Sequence, residues 1–67
     1  MKETLRDLRL KEKREALNLT QKQVADMVGI PYQAYQRYET GKIIPNAVLA
    51  VRISRALKTT VEELYGE

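Results

Sequence analysis

The 67-residue sequence predicts an all-α fold of five short helices. Three observations predict it. Apolar side chains recur at three- and four-residue spacing rather than in alternation, which is the helical period. Helix starts are written in the polar residues: Thr20 with Gln23, then Asn46, then Thr60 with Glu63. Gly29, Gly41 and Gly66 each follow a helix-length segment, where a residue without a Cβ ends a helix with least strain.

The first helix is expected over residues 3–17, a segment rich in Leu, Lys, Arg and Glu and free of Gly and Pro. Leu10, Arg14 and Leu17 fall at i, i+4 and i+7 on one face, with Leu5 and Leu8 roughly opposite. Thr20 and Gln23 form a capping box, in which each side chain satisfies a free amide of the helix start. The second helix runs over 21–28, with Val24, Ala25 and Val28 as its apolar stripe and Gly29 at C′. Pro31 suits the start of a third helix, where its missing N–H is not needed. That helix covers 32–40. At about 100° per residue, Ala34, Tyr35, Tyr38 and Glu39 cluster on one side and Tyr32, Gln33, Gln36, Arg37 and Thr40 on the other. Asn46 caps a fourth helix over 47–58, where Ala50, Ile53 and Leu57 share a face flanked by Leu49 and Ser54. Thr60 and Glu63 form a second capping box for a last helix over 61–65.

Composition narrows the function. Twelve Lys and Arg against nine Asp and Glu give a net charge of +3, which permits a polyanionic partner without demanding one. The absence of Cys and His removes disulfides, thiol nucleophiles, imidazole catalysis and most zinc sites. The acidic residues show no metal-ligand spacing, and the one serine, Ser54, is expected to bond back into its own helix. An enzyme is therefore not expected, nor a metal or cofactor. The longest apolar run is five residues, 47–51, too short for a membrane span or a signal peptide, so the expected address is the cytoplasm.

The informative stretch is residues 20–42, TQKQVADMVGIPYQAYQRYETGK. Two capped helices meet at a tight turn with Gly29 at the bend. Ala25 is small enough for the helices to approach closely, and Val24, Val28, Ile30, Tyr35 and Tyr38 clamp their angle. In such a unit one helix crosses the phosphate backbone while the next offers its polar face to the major groove.

On these residues the sequence resembles the phage repressor/Cro-like (XRE) helix-turn-helix DNA-binding family. The match covers about residues 10–64. It includes Leu10, Arg14, LTQ at 19–21, Val24-Ala25, Val28-Gly29, the Glu39–Gly41–Lys42 pattern, Pro45, the apolar set of the fourth helix and the terminal VEEL. The resemblance implies a compact five-helix, lambda-repressor-like fold with the helix-turn-helix in helices 2 and 3, the chain 1–67 forming a single DNA-binding domain. It also implies an ion pair between Arg14 and Glu39 that ties the third helix to the scaffold. Departures from the family pattern are Lys13 for an aliphatic residue, Pro31 for a Ser or Thr cap, Tyr35 and Tyr38 for Ile or Leu, Ala47 and Ala50 for larger aliphatics, and Lys58 for Gly.

Gln33 and Gln36 are the expected base readers, because an amide can donate and accept at once and so matches the N7 and N6 edge of adenine. Arg37 is expected on guanine or on a phosphate, and Tyr32 on a thymine methyl or a phosphate. Thr20, Gln21, Lys22, Thr40 and Lys42 are the candidate phosphate contacts, Thr20 doubling as the helix cap. Tyr35 and Tyr38 are read as core residues rather than a stacking platform, their hydroxyls reaching the surface or a partner. Val48 and Val51 lie off the main face of the fourth helix and, with Leu5 and Leu8, are candidates for self-association. The expected function is a sequence-specific regulator of transcription, a repressor rather than an activator, binding a palindromic operator in double-stranded DNA as a homodimer. The rival reading is an antitoxin or other interaction module that binds a partner protein as well as its operator.

Overall fold

The computed structural model describes residues 2–66, with side chains from residue 9 onward. Its elements are α1 (Lys2–Ala16), α2 (Gln21–Val28), α3 (Tyr32–Glu39), α4 (Ala47–Ala56) and α5 (Val61–Tyr65). There is no strand among the described residues. α2 packs on α3 and α4, α1 packs on α3 and α5, and α4 packs on α5. Every helix therefore gives one stripe to a shared core. α2 contributes Val24, Ala25 and Val28, α4 contributes Ile53 with Leu57 at its end, and α1, α3 and α5 contribute Leu10, Tyr35 and Leu64. Each large aliphatic buried there is worth about 1.5–3 kcal/mol before entropy is counted.

The expected helix starts form as written. Thr20 Oγ1 accepts from Gln23 N–H at 3.0 Å while Gln23 Oε1 accepts from Thr20 N–H at 2.8 Å, a complete capping box. Asn46 Oδ1 accepts from Leu49 N–H at 2.9 Å. The second capping box is only half made. Thr60 Oγ1 accepts from Glu63 N–H at 3.1 Å, but the Glu63 carboxylate turns away to the Thr59 hydroxyl and to Lys13, 3.5 Å off. Both partners lower the Glu63 pKa, the hydroxyl foremost. The contact gives Lys13, which stands where an aliphatic residue was expected, a partner on α5.

The helix ends depart from the expected bounds. α1 stops at Ala16, and Asn18 takes a left-handed turn at φ 58°. Leu19 N–H then reaches the Arg14 carbonyl at 3.2 Å and Asn18 N–H the Glu15 carbonyl at 2.9 Å, a Schellman closure. The chain reverses so early that Leu19, rather than Leu17, packs against the core. α4 likewise ends at Ala56 instead of residue 58, with Lys58 left-handed at φ 56° and Thr59 N–H on the Ser54 carbonyl at 2.8 Å. A Lys there carries the Cβ penalty that Gly29, at φ 85°, avoids. α3 closes at Glu39 with Thr40 as its cap, and Pro31 is the N-cap rather than the first helical residue. Ser54 Oγ donates to the Val51 carbonyl at 2.7 Å, as expected of a packed serine.

Tyr35 is fully buried and Tyr38 packs partly buried against the same core. The expectation that their hydroxyls reach the surface or a partner is met only in part for Tyr35, which is buried beside the Glu39 carboxylate. Its hydroxyl is buried without a well-formed hydrogen bond, as is that of Tyr65. Burial, with the Glu39 carboxylate nearby, drives the Tyr35 pKa far above its ordinary 10.0, and burial pushes Tyr65 up to about 12. Val48 and Val51 are exposed on α4. The expectation for Leu5 and Leu8 lies outside the described side chains.

Candidate nucleic-acid interface

The interface is built on the turn between α2 and α3. Gly29 N–H and Ile30 N–H both close on the Ala25 carbonyl, at 2.8 and 3.0 Å, so the chain leaves α2 within one residue. Ile30 packs on the core, and α3 starts at Tyr32 with no longer connection to let it swing. Ala25, 1 % exposed, is small enough to keep the helices close.

A second clamp is ionic. Arg14 Nε donates to Glu39 Oε2 at 2.8 Å, Arg14 Nη2 to Glu39 Oε1 at 3.1 Å, and Arg14 Nη1 to the Leu19 carbonyl at 2.8 Å. The guanidinium thus ties the turn after its own helix to the end of α3. The Glu39 side chain is only 5 % exposed. Burial alone opposes its charge, but hydrogen bonds from Arg14 and Gln21 prevail and hold its pKa below the ordinary 4.5. The bond to Glu39 correspondingly raises the Arg14 pKa.

Gln21 extends this pair toward the surface. Its Nε2 donates to Glu39 Oε1 at 2.7 Å. Its Oε1 faces the Tyr32 hydroxyl at 3.4 Å and Gln36 Nε2 at 3.5 Å, and Gln36 Nε2 also donates to Tyr32 Oη at 3.0 Å. The Gln21 carboxamide, expected on a phosphate, is turned inward, because the ionised carboxylate beside it is the stronger acceptor. Within this relay Tyr32 and Gln36 are i, i+4 neighbours on one helix, but Gln21 meets them and Glu39 only once α2 and α3 are packed.

The exposed side of α3 gathers most of the remaining candidates. Gln33, Gln36, Arg37, Thr40 and Lys42 line a shallow depression of about 310 Å³. Lys42 N–H on the Arg37 carbonyl, at 3.0 Å, folds the following loop back against the helix. The Thr40 hydroxyl bonds the Gln36 carbonyl at 2.9 Å and so caps its own helix. Among the described residues no hydrogen bond engages the Gln33 amide. Thr20 and Lys22 stand exposed at the α2 start, outside the depression. A larger hollow of about 450 Å³ lies between α2 and α4, on Met27, Val28, Arg52, Arg55 and Ala56. It holds none of the residues that the sequence singled out.

The helix-turn-helix family model matches residues 10–64, which span all of α2 to α4 and nearly all of α5. The chain belongs to the XRE-type helix-turn-helix family. Relatives bear this out. The cryptic phage CTXphi transcriptional repressor RstR of Vibrio cholerae is 41% identical over 58 residues, 87% of this chain and 52% of that protein. An uncharacterized HTH-type transcriptional regulator of Methanothermobacter thermautotrophicus is 37% identical over 57 residues, 84% of this chain and 83% of its own length. Another, from Archaeoglobus fulgidus, is 33% identical over 57 residues, 85% and 80%. The chain spans about half the length of the phage repressor it matches. No solved structure gives a significant match.

Proposed function

We propose that this helix-turn-helix chain is a DNA-binding transcriptional regulator of the repressor type, reading the major groove of double-stranded DNA with α3. The observation that carries the reading is the polar face of α3, where Gln33, Gln36 and Arg37 surround one depression with Lys42 at its rim. Tyr32, Gln33, Gln36 and Arg37 meet base edges in this reading. Lys22 and Lys42 neutralise phosphates, and the free amides at the start of α2, rather than the Gln21 side chain, take a phosphate oxygen. Thr20 and Thr40 act mainly as caps, each within reach of the backbone. The relatives' names favour a regulator over the antitoxin reading.

One module touches few base pairs, so the regulator works as a homodimer on a palindromic operator with half-sites about one helical turn apart. Val48 and Val51, exposed on α4, are among the described apolar side chains that suit such a contact. No described helix is long and apolar enough to cross a membrane, and the regulator acts in the cytoplasm, where DNA is accessible.

Selection from a random duplex library at near-physiological salt tests this. Wild type is expected to enrich a palindromic consensus, and the Gln33→Ala, Gln36→Ala double variant to lose it while keeping salt-sensitive nonspecific binding. No enrichment by wild type overturns the reading.

A further inference from the structure

The buried ion pair sets the direction of hydrogen bonding on the reading face. Ionised Glu39 can only accept. Gln21, 2.7 Å away, must therefore present its NH2 group to Glu39 and its carbonyl oxygen to the other side. That oxygen accepts, and the two protein donors facing it are the Tyr32 hydroxyl at 3.4 Å and Gln36 Nε2 at 3.5 Å. Tyr32 has one proton. If it points at Gln21, its oxygen is left to accept, and Gln36 Nε2 lies 3.0 Å from it. Gln36 thus has two N–H groups and two protein acceptors for them.

We infer that Gln36 reads DNA only as an acceptor: its NH2 group is held on the protein by Tyr32 and Gln21, and its Oε1 is what it offers to the groove. The inference rests on α3 being the reading helix and refines what one of its residues selects. An amide free at both ends matches adenine N7 and N6 together. An outward acceptor alone matches an exocyclic amino group, which adenine N6 and cytosine N4 carry and guanine and thymine lack in the major groove. Gln36 therefore selects adenine or cytosine over guanine or thymine on the strand it faces, by about fivefold for one net hydrogen bond. Gln33, with no bond to the described residues, keeps the two-point match to adenine. Tyr32 keeps its ring for a base edge, and its hydroxyl positions Gln36. It is 42 % exposed, so loss of its hydroxyl leaves the core intact.

Two measurements test this, one without DNA. In the free protein, the Gln36 side-chain amide protons are expected to exchange slowly with solvent, and Tyr32→Phe to bring them to the rate of the Gln33 amide. Equal rates in wild type overturn the relay whatever the protein binds. The second measurement is affinity for duplexes carrying each base at every position of the selected site, for wild type, Tyr32→Phe and Gln36→Glu. Wild type is expected to prefer adenine or cytosine at one position. Gln36→Glu, which offers acceptors only, keeps that ratio at lower overall affinity, and Tyr32→Phe flattens it without changing the salt dependence or the melting temperature. A preference for adenine alone that survives Tyr32→Phe and vanishes in Gln36→Glu overturns the inference and leaves the regulator reading standing. Absence of any selected site overturns the regulator reading, and the proton-exchange result still decides the relay.

Discussion

The two ends of this bundle are held by different means. Where α1, α2 and α3 meet, polar groups dominate: the Arg14–Glu39 fork, Gln21 on the same carboxylate, and Arg14 on the Leu19 carbonyl. Where α1, α4 and α5 meet, Leu10, Ile53, Leu57 and Leu64 form an apolar seam, and the polar contacts between α1 and the α5 end, Arg9 on the Gly66 carbonyl and Lys13 on Glu63, are single-pronged. Apolar packing is non-directional and tolerates small errors of angle. A two-pronged ion pair does not, because its hydrogen bonds weaken steeply with misalignment. The directional device sits at the end that presents α3, the proposed reading helix, and the tolerant one at the end that only has to stay closed.

The largest test of that contrast is Glu39→Gln. It strands a buried guanidinium and is expected to cost about 3–5 kcal/mol. At about 4–8 °C per kcal/mol for a domain of this size, the melting temperature falls by more than about 12 °C. Replacing both partners, Arg14→Met with Glu39→Leu, is expected to recover most of the stability but not the orientation of α3, so sequence-specific binding stays lost. A loss under about 1 kcal/mol in a urea melt of Glu39→Gln would make the pair an ordinary surface bridge and erase the contrast.

Acid reaches the same pair without mutation. The folded-state pKa of Glu39 lies below the ordinary 4.5. Its contribution is therefore present above that value and is lost as the pH falls through the folded pKa. At the alkaline side Tyr65, at about 12 in the folded state against an ordinary 10.0, contributes stability that is complete below pH 10.0 and is lost as the pH rises through about 12. Urea midpoints across pH are expected to show both flanks, with the Glu39 part of the acid flank absent in Glu39→Gln and the alkaline flank reduced in Tyr65→Phe.

Smaller effects compare the helix termini. Thr20→Ala removes a cap from the polar end and is expected to cost about 1 kcal/mol. Gly29→Ala costs a similar amount of about 1 kcal/mol from its left-handed backbone alone, since the added Cβ meets no side chain or distant backbone within 4 Å. Lys58→Gly at the apolar end is expected to gain about 0.5–1 kcal/mol, the Cβ penalty less the entropy that glycine adds to the unfolded chain. Thermal melts of the two glycine-site variants, moving in opposite directions, check that the termini share one backbone geometry.

Much of this protein is local and therefore legible in its residues. The five helices, the Thr20 and Asn46 caps, the Gly29 turn and the two faces of α3 follow from hydrogen bonds and periodicity within a few residues of each position. The Arg14–Glu39 contact was legible only through family resemblance, since nothing local ties residues 25 apart in sequence. Several features waited for the tertiary structure: the inward turn of Gln21, the diversion of Glu63 from its capping box to Lys13, and the buried hydroxyl of Tyr35. Each is a competition among partners that only packing brings within reach. A side chain with two or three possible partners goes to the strongest one the fold supplies, and for Gln21 that partner is a buried carboxylate on another helix.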